Sequence, residues 1–149
     1  MRLSAKGEYA IRAVLDLALH YGQGGQGLIP IQDVSRRQGI PQRYLEQVLL
    51  LLKRAGFLGS RRGSAGGYHL VRPPAKISVG DVLRAIEGTL TPIEAGRRSA
   101  GADRDGGDLQ ELWGEMTSAV SAVLDRTTFG DLAERAAARR DPSRSMYHI

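Results

Sequence analysis

Residues 29–70 read IPIQDVSRRQGIPQRYLEQVLLLLKRAGFLGSRRGSAGGYHL, and this stretch decides the fold. Ile31 to Gln38 forms a short helical segment, and Gly39-Ile40-Pro41 makes a turn. A second helix opens with Pro41, where a missing amide hydrogen is harmless because the first turn leaves its N–H groups unpaired anyway. Its residues Tyr44, Leu45, Val48, Leu49, Leu52 and Ala55 are spaced to face a core, and the helix stops at Gly56. Two strands, Phe57 to Arg61 and Gly67 to Val71, then flank a tip in which Gly63, Gly66 and Gly67 permit positive φ and close backbone approach. The order is helix, turn, helix, hairpin. Two helices joined by a tight turn present the second to the major groove of duplex DNA, and a basic hairpin beside it reaches phosphates or the minor groove. The expected fold is mainly α with a small β-hairpin wing: a winged helix-turn-helix domain plus a long C-terminal dimerisation helix.

Working outward, a first helix starts near Ser4, whose hydroxyl caps it, and carries Tyr9, Ala10, Ala13, Val14, Leu17 and Ala18 on one stripe. It ends before the glycine-rich segment 22–27. Pro73-Pro74 closes the wing, and Ser78 caps a fourth helix through Val79, Val82, Leu83 and Ile86, with Asp81 suited to the helix dipole. The winged domain is therefore assigned to residues 1–88 and a polar, glycine-rich loop to residues 89–107. Asp108 caps the next helix, in which Leu109, Leu112, Trp113, Met116, Val120, Val123 and Leu124 recur at helical spacing. Placed after a complete small domain, this apolar face is expected to meet a partner subunit; packing back on the first helix is the alternative. After a break at Thr127-Thr128, a short helix from Phe129 to Ala138 completes segment 108–138, and residues 139–149 form a tail.

Charge follows the same division. Residues 1–88 hold 13 Lys and Arg against six Asp and Glu, whereas residues 89–149 hold eight against ten. A basic domain joined to a slightly acidic segment suits a polyanion partner, since phosphate attraction supplies most non-specific affinity. The chain has no cysteine, which excludes a disulfide framework, a thiol nucleophile and cysteine-ligated zinc or iron–sulfur centres. His20, His69 and His148 lack ligand spacing, so no metal and no cofactor is expected. Nothing resembles a catalytic triad or a paired-carboxylate site, and Gly63 to Gly67 lies inside a hairpin rather than before a helix, so an enzyme is not expected. With no apolar run approaching the roughly 20 residues that span a bilayer, the expected location is cytoplasmic.

The residues that resemble a known family are Arg2-Leu3-Ser4-Ala5-Lys6-Gly7-Glu8-Tyr9-Ala10, Tyr44-Leu45-Glu46-Gln47 and Arg62-Gly63-Ser64-Ala65-Gly66-Gly67-Tyr68. Together they look like the signature of the Rrf-type winged-helix regulators, which implies a homodimeric transcription regulator acting on a palindromic operator in double-stranded DNA. The polar face of the helix after the turn carries Gln42, Arg43, Glu46, Gln47 and Lys53, which reads equally as a base-reading face or a solvated one, and the resemblance implies that Arg43, Tyr44, Glu46 and Gln47 sit at the start of the recognition helix. Arg and Gln read guanine and adenine edges bidentately, Glu46 accepts from a cytosine amino group or excludes wrong sequences, and Tyr44 is either core or a phosphate contact. Arg61, Arg62 and Gly63 form the wing, where a narrow minor groove attracts guanidinium. A solvated hairpin edge is the competing account of the arginines, disfavoured because the glycines have no packing reason to cluster. Ser4, Lys6 and Tyr9 are expected at backbone phosphates, although Ser4 alternatively serves only as a cap.

Many family members carry an iron–sulfur cluster on three cysteines in the loop that corresponds to residues 89–107, and cluster sensing does not transfer to a loop without cysteine. Thr91-Pro92-Ile93-Glu94, Leu124-Asp125-Arg126-Thr127-Thr128 and Met146-Tyr147-His148-Ile149 look most like the cluster-free branch typified by CymR. That resemblance implies a repressor of cysteine and sulfur metabolism whose signal is relayed by cysteine synthase. Serine acetyltransferase docks on that enzyme through a C-terminal isoleucine, so Tyr147, His148 and Ile149 are the expected partner-binding residues; packing of the tail on its own dimer is the alternative. A second function class stays open: an interaction module that modulates an enzyme without reading DNA.

Overall fold

A computed structural model describes residues 3–22, 27–88 and 107–141 of the chain. Residues 89–106 of the loop expected over 89–107, the tail with Tyr147, His148 and Ile149, and part of the 22–27 glycine segment lie outside the described residues. Helix α1 spans Ala5–Leu19, α2 Ile31–Gln38 and α3 Gln42–Arg54; β1 (Leu58–Arg61) and β2 (Gly67–Leu70) follow. A 3-10 turn at Pro74–Lys76 leads to α4 (Val79–Glu87), and α5 (Gly107–Arg126) and α6 (Phe129–Arg140) complete the fold. The helix-turn-helix, the hairpin and the later helices thus occur in the expected order. The ends differ by a residue or two: Pro41 stands before α3 rather than within it, Phe57 and Val71 fall outside the strands, and α5 starts at Gly107, leaving Asp108 inside its first turn.

Local chemistry sets these boundaries. Ser4 accepts from the Gly7 amide at 3.0 Å and so caps α1. Gly39 ends α2 in the left-handed conformation (φ 64°), a position that favours glycine because it carries no Cβ. Ser35 reaches forward to donate to the Ile40 carbonyl at 2.6 Å, which fixes the turn into α3. α4 and α6 open with the same capping box: Ser78 with Asp81 and Thr128 with Asp131, each side chain bonded to the other's amide. The two starts lie side by side, joined by Val79 N–H to Thr127 O and Phe129 N–H to Ile77 O, both 2.9 Å. Thr127-Thr128, which reads in the sequence only as a break, is thus a structured junction.

Leu45, Val48, Leu49 and Leu52 of α3 meet Ala10, Val14 and Leu17 of α1 in the core, with Val34, Ile40, Ile77 and Val82 around them. Phe129, at the start of α6, is fully buried in the same core, and α6 packs on α1. The final helix therefore shares the winged domain's core. Leu124 of α5 also packs against it, and a bidentate pair from Arg84 to Asp125 (2.7 and 2.8 Å) ties α4 to α5. Farther toward its start, α5 leaves Leu109, Leu112 and Met116 exposed, as it does Val123.

One buried charge stands inside the apolar stripe of α1. Asp16 is 1% exposed and accepts from Arg37 Nε at 3.0 Å, Arg37 Nη2 at 2.8 Å and Gln38 Nε2 at 3.0 Å. Burial pushes its carboxyl up, but the hydrogen bonds from Arg37 and Gln38 and the Arg37 charge outweigh it and hold the pKa below the usual value. The network locks the last turn of α2 onto α1, and Arg12 adds a bond to the Gln38 carbonyl at 3.3 Å. It sets how the helix pair stands on the core.

Candidate nucleic-acid interface

The buried residues of α3 define its outward face by elimination. At about 100° per residue, Leu45, Val48, Leu49 and Leu52 fill the inner side, and Arg43, Gln47, Leu50 and Arg54 fall within about 60° of one another on the opposite side; all four are exposed or half-exposed. Gln42, Glu46 and Lys53 line one flank of that face, which is the flank nearest the wing. Lys53 donates to Ser60 on β1 at 2.6 Å, so hairpin and helix are coupled directly. Tyr44 lies on the other flank, 40% exposed, and meets the Tyr9 ring edge to face with centroids 5.5 Å apart. Its position between core and surface reflects that contact. Leu50 and Arg54, although on the outward face, do not stand out in the sequence; the spacing of the four buried residues is the signal that locates them.

The wing is built on an additional strand position. Ile29 bridges Tyr68 through two bonds of 2.8 Å, so the hairpin is stitched to the segment that enters α2. This explains Gly67, and crowding within the hairpin tip explains Gly66, which corrects the expectation that their clustering has no packing cause. Only Gly63 (φ 109°) uses a positive φ; a Cβ on Gly67 would stand 2.5 Å from the Ile29 carbonyl, and one on Gly66 would overlap the Arg61 carbonyl oxygen. Arg61, Arg62 and Gly63 are exposed, and Arg61 and Arg62 line a cleft of about 460 Å³ shared with Leu50, Lys53, Ser60 and Tyr68. At the start of α1, Lys6 is exposed and Tyr9 half-buried, while the Ser4 hydroxyl both caps the helix and bonds Glu87. The capping role expected of Ser4 is thus the one its geometry displays.

His20 Nδ1 donates to the Asp16 carbonyl at 2.8 Å, and the His69 ring lies over Gly59, close enough that a Cβ there would stand 2.5 Å from it. Among the described residues no three His, Cys, Asp or Glu side chains come together in a group that could hold a metal ion.

The Rrf2 family, described as "Iron-dependent Transcriptional regulator", matches residues 3–135. The HTH-type transcriptional regulator IscR of Photobacterium profundum is 39% identical over 135 residues, covering 89% of this chain and 75% of that one. Among solved structures, T. potens IscR superposes with a TM-score of 0.80 at 32% identity, covering 99% of this chain and 97% of its own. CymR, the global cysteine regulator of B. subtilis, superposes with a TM-score of 0.75 at 34% identity, covering 91% and 98%. The family description names iron, yet a chain with no cysteine and three scattered histidines does not offer the thiolates that hold an iron–sulfur cluster. The residues present therefore do not fit such a group. No helix of the described residues is long and apolar enough to cross a membrane. The matched span, the shared winged-helix fold and the exposed polar face of α3 beside a basic hairpin together place this chain in the Rrf2 family of DNA-binding transcriptional regulators, which are not enzymes.

Proposed function

We propose that the chain is a homodimeric, sequence-specific repressor of cysteine and sulfur metabolism genes in the cytoplasm, controlled by a protein partner, cysteine synthase. The observation that carries the DNA-reading half is the outward face of α3, where Arg43 and Gln47 stand opposite the core on the helix whose Leu50 and Lys53 share a cleft with Arg61 and Arg62 of the wing. In that arrangement Arg43, Gln47, Gln42 and Glu46 take base edges, and Lys6, Lys53, Arg61, Arg62 and the Tyr9–Tyr44 pair hold the backbone.

Dimerisation rests on α5. Leu109, Leu112, Met116 and Val123 are each 42–47% exposed and recur at near-heptad spacing, with Trp113 and Val120 beside them, whereas Leu124 faces the domain's own core. Covering that stripe with a second copy relates two recognition helices by a twofold axis, which demands a palindromic site with half-sites about one or more helical turns apart.

The regulon is supported by the likeness to CymR and by the missing cysteines, which remove the thiolate input available to cluster-bearing relatives. Tyr147, His148 and Ile149 are the segment we assign to cysteine synthase. Two measurements test the assignment. Transcripts for cysteine synthesis and sulfur uptake should rise in a strain lacking the gene; unchanged sulfur transcripts overturn the regulon. Deleting Ile149 should leave the dimer intact and abolish binding to purified cysteine synthase, and undiminished binding overturns tail docking.

A further inference from the structure

We propose that Leu50 is a specificity-determining residue that reads the 5-methyl group of a thymine in the major groove. The inference rests on the DNA-reading role given above to α3. Leu50 is 45% exposed and lies at the wing-side edge of the outward face, with Arg43 and Gln47 one or two turns before it and Arg54 one turn after. Every neighbour on that face is charged or hydrogen-bonding; Leu50 alone is aliphatic. Its side chain also opens on the cleft between α3 and the wing, which Lys53 and Ser60 bridge.

A branched apolar side chain at that position acts in two ways when α3 enters the groove. It removes water from the base edge it covers while supplying neither donor nor acceptor. An exocyclic amino group or a purine O6 beneath it is therefore left unpaired, and that desolvation is unfavourable. The thymine methyl is the one apolar group the major groove displays, so the same burial becomes favourable over an A·T pair in one orientation. Leu50 thereby selects by exclusion as well as by contact.

The test uses the full-length protein and a duplex enriched by it from a randomised pool. Each thymine of the enriched site is replaced singly by deoxyuridine, which deletes only the methyl. For the wild type, one thymine per half-site should show about fourfold weaker binding on replacement, the loss expected from one buried methyl group. For Leu50→Ala, a surface substitution that leaves the core residues of α3 in place, the same replacement should change affinity by less than about 1.5-fold, while other thymines behave alike in both proteins. If no replacement distinguishes the two proteins, or if Leu50→Ala weakens enriched and unrelated duplexes equally, the inference is wrong and the proposed DNA-reading role stands. Failure to enrich any site overturns both.

Discussion

Replacing Arg37 by alanine should destabilise the protein by about 3 kcal/mol, a large effect for a residue whose outer edge is in water. The magnitude comes from what is left behind. Asp16 is 1% exposed and receives two of its three side-chain hydrogen bonds from Arg37. Breaking a buried pair by removing one partner costs about 3–5 kcal/mol, and the lower end applies because Gln38 stays bonded and the Arg37 side chain is 34% exposed. At roughly 3 °C per kcal/mol for a chain of this length, the melting temperature should fall by about 9 °C. Thermal unfolding followed by far-ultraviolet circular dichroism at neutral pH measures it.

The pH dependence supplies a second check. The native pKa of Asp16 is lowered, so the stability it contributes is present above its unfolded value of about 3.9 and is lost as the pH falls through the native value. In Arg37→Ala the stranded carboxyl is protonated more readily, so the gap between the two proteins should narrow as the pH falls toward about 3. The double variant Asp16→Ala, Arg37→Ala should cost clearly less than the two singles added. A melting temperature for Arg37→Ala within about 1 °C of the wild type would refute the claim that this pair locks α2 to α1.

Met116→Asp places a charge in the exposed apolar stripe of α5, and sedimentation at micromolar concentration should show a monomer with unchanged circular dichroism where the wild type sediments as a dimer; a wild-type monomer sinks the dimer proposal. Gly67→Ala should destabilise by about 1–3 kcal/mol and weaken DNA binding on every sequence, because its Cβ would crowd the Ile29 backbone that anchors the wing; a melt and affinity equal to the wild type would show that the bridge is dispensable. Protein purified without oxygen should be colourless and should bind DNA identically after exposure to air, since no thiolate is present to hold iron; stoichiometric iron and sulfide with a visible absorption band would contradict this.

The helix-turn-helix and the hairpin are legible in the sequence because their signals are local. Four apolar residues at helical spacing mark the inner face of α3, and Gly39 marks the turn where only a residue without a Cβ is comfortable. What stays hidden depends on partners distant in the chain. Asp16 sits among Ala13, Val14 and Leu17 like an exception to the stripe, and nothing local announces that Arg37 and Gln38 will reach it from more than twenty residues away. Ile29 reads as an approach to α2, yet it bridges β2 across nearly forty residues and thereby accounts for Gly67. Phe129 reads as part of a terminal helix outside the winged domain because sequence separation conceals its burial in the common core. Leu50 is a different case: its outward position follows from the spacing of Leu45, Val48, Leu49 and Leu52, and an unbroken run of leucines masks it.

The most direct measurement is the ratio of affinities for an enriched palindromic duplex and an unrelated duplex of equal length, taken at several salt concentrations for wild type, Arg43→Ala and Arg62→Ala. The wild type should prefer the palindrome by about a thousandfold or more. Arg43→Ala should erode that ratio by about tenfold, and Arg62→Ala should weaken both duplexes alike and reduce the salt slope by about 1. Equal wild-type affinity for the two duplexes, or a loss in Arg43→Ala that is the same on both, would contradict the assignment of base reading to the outward face of α3.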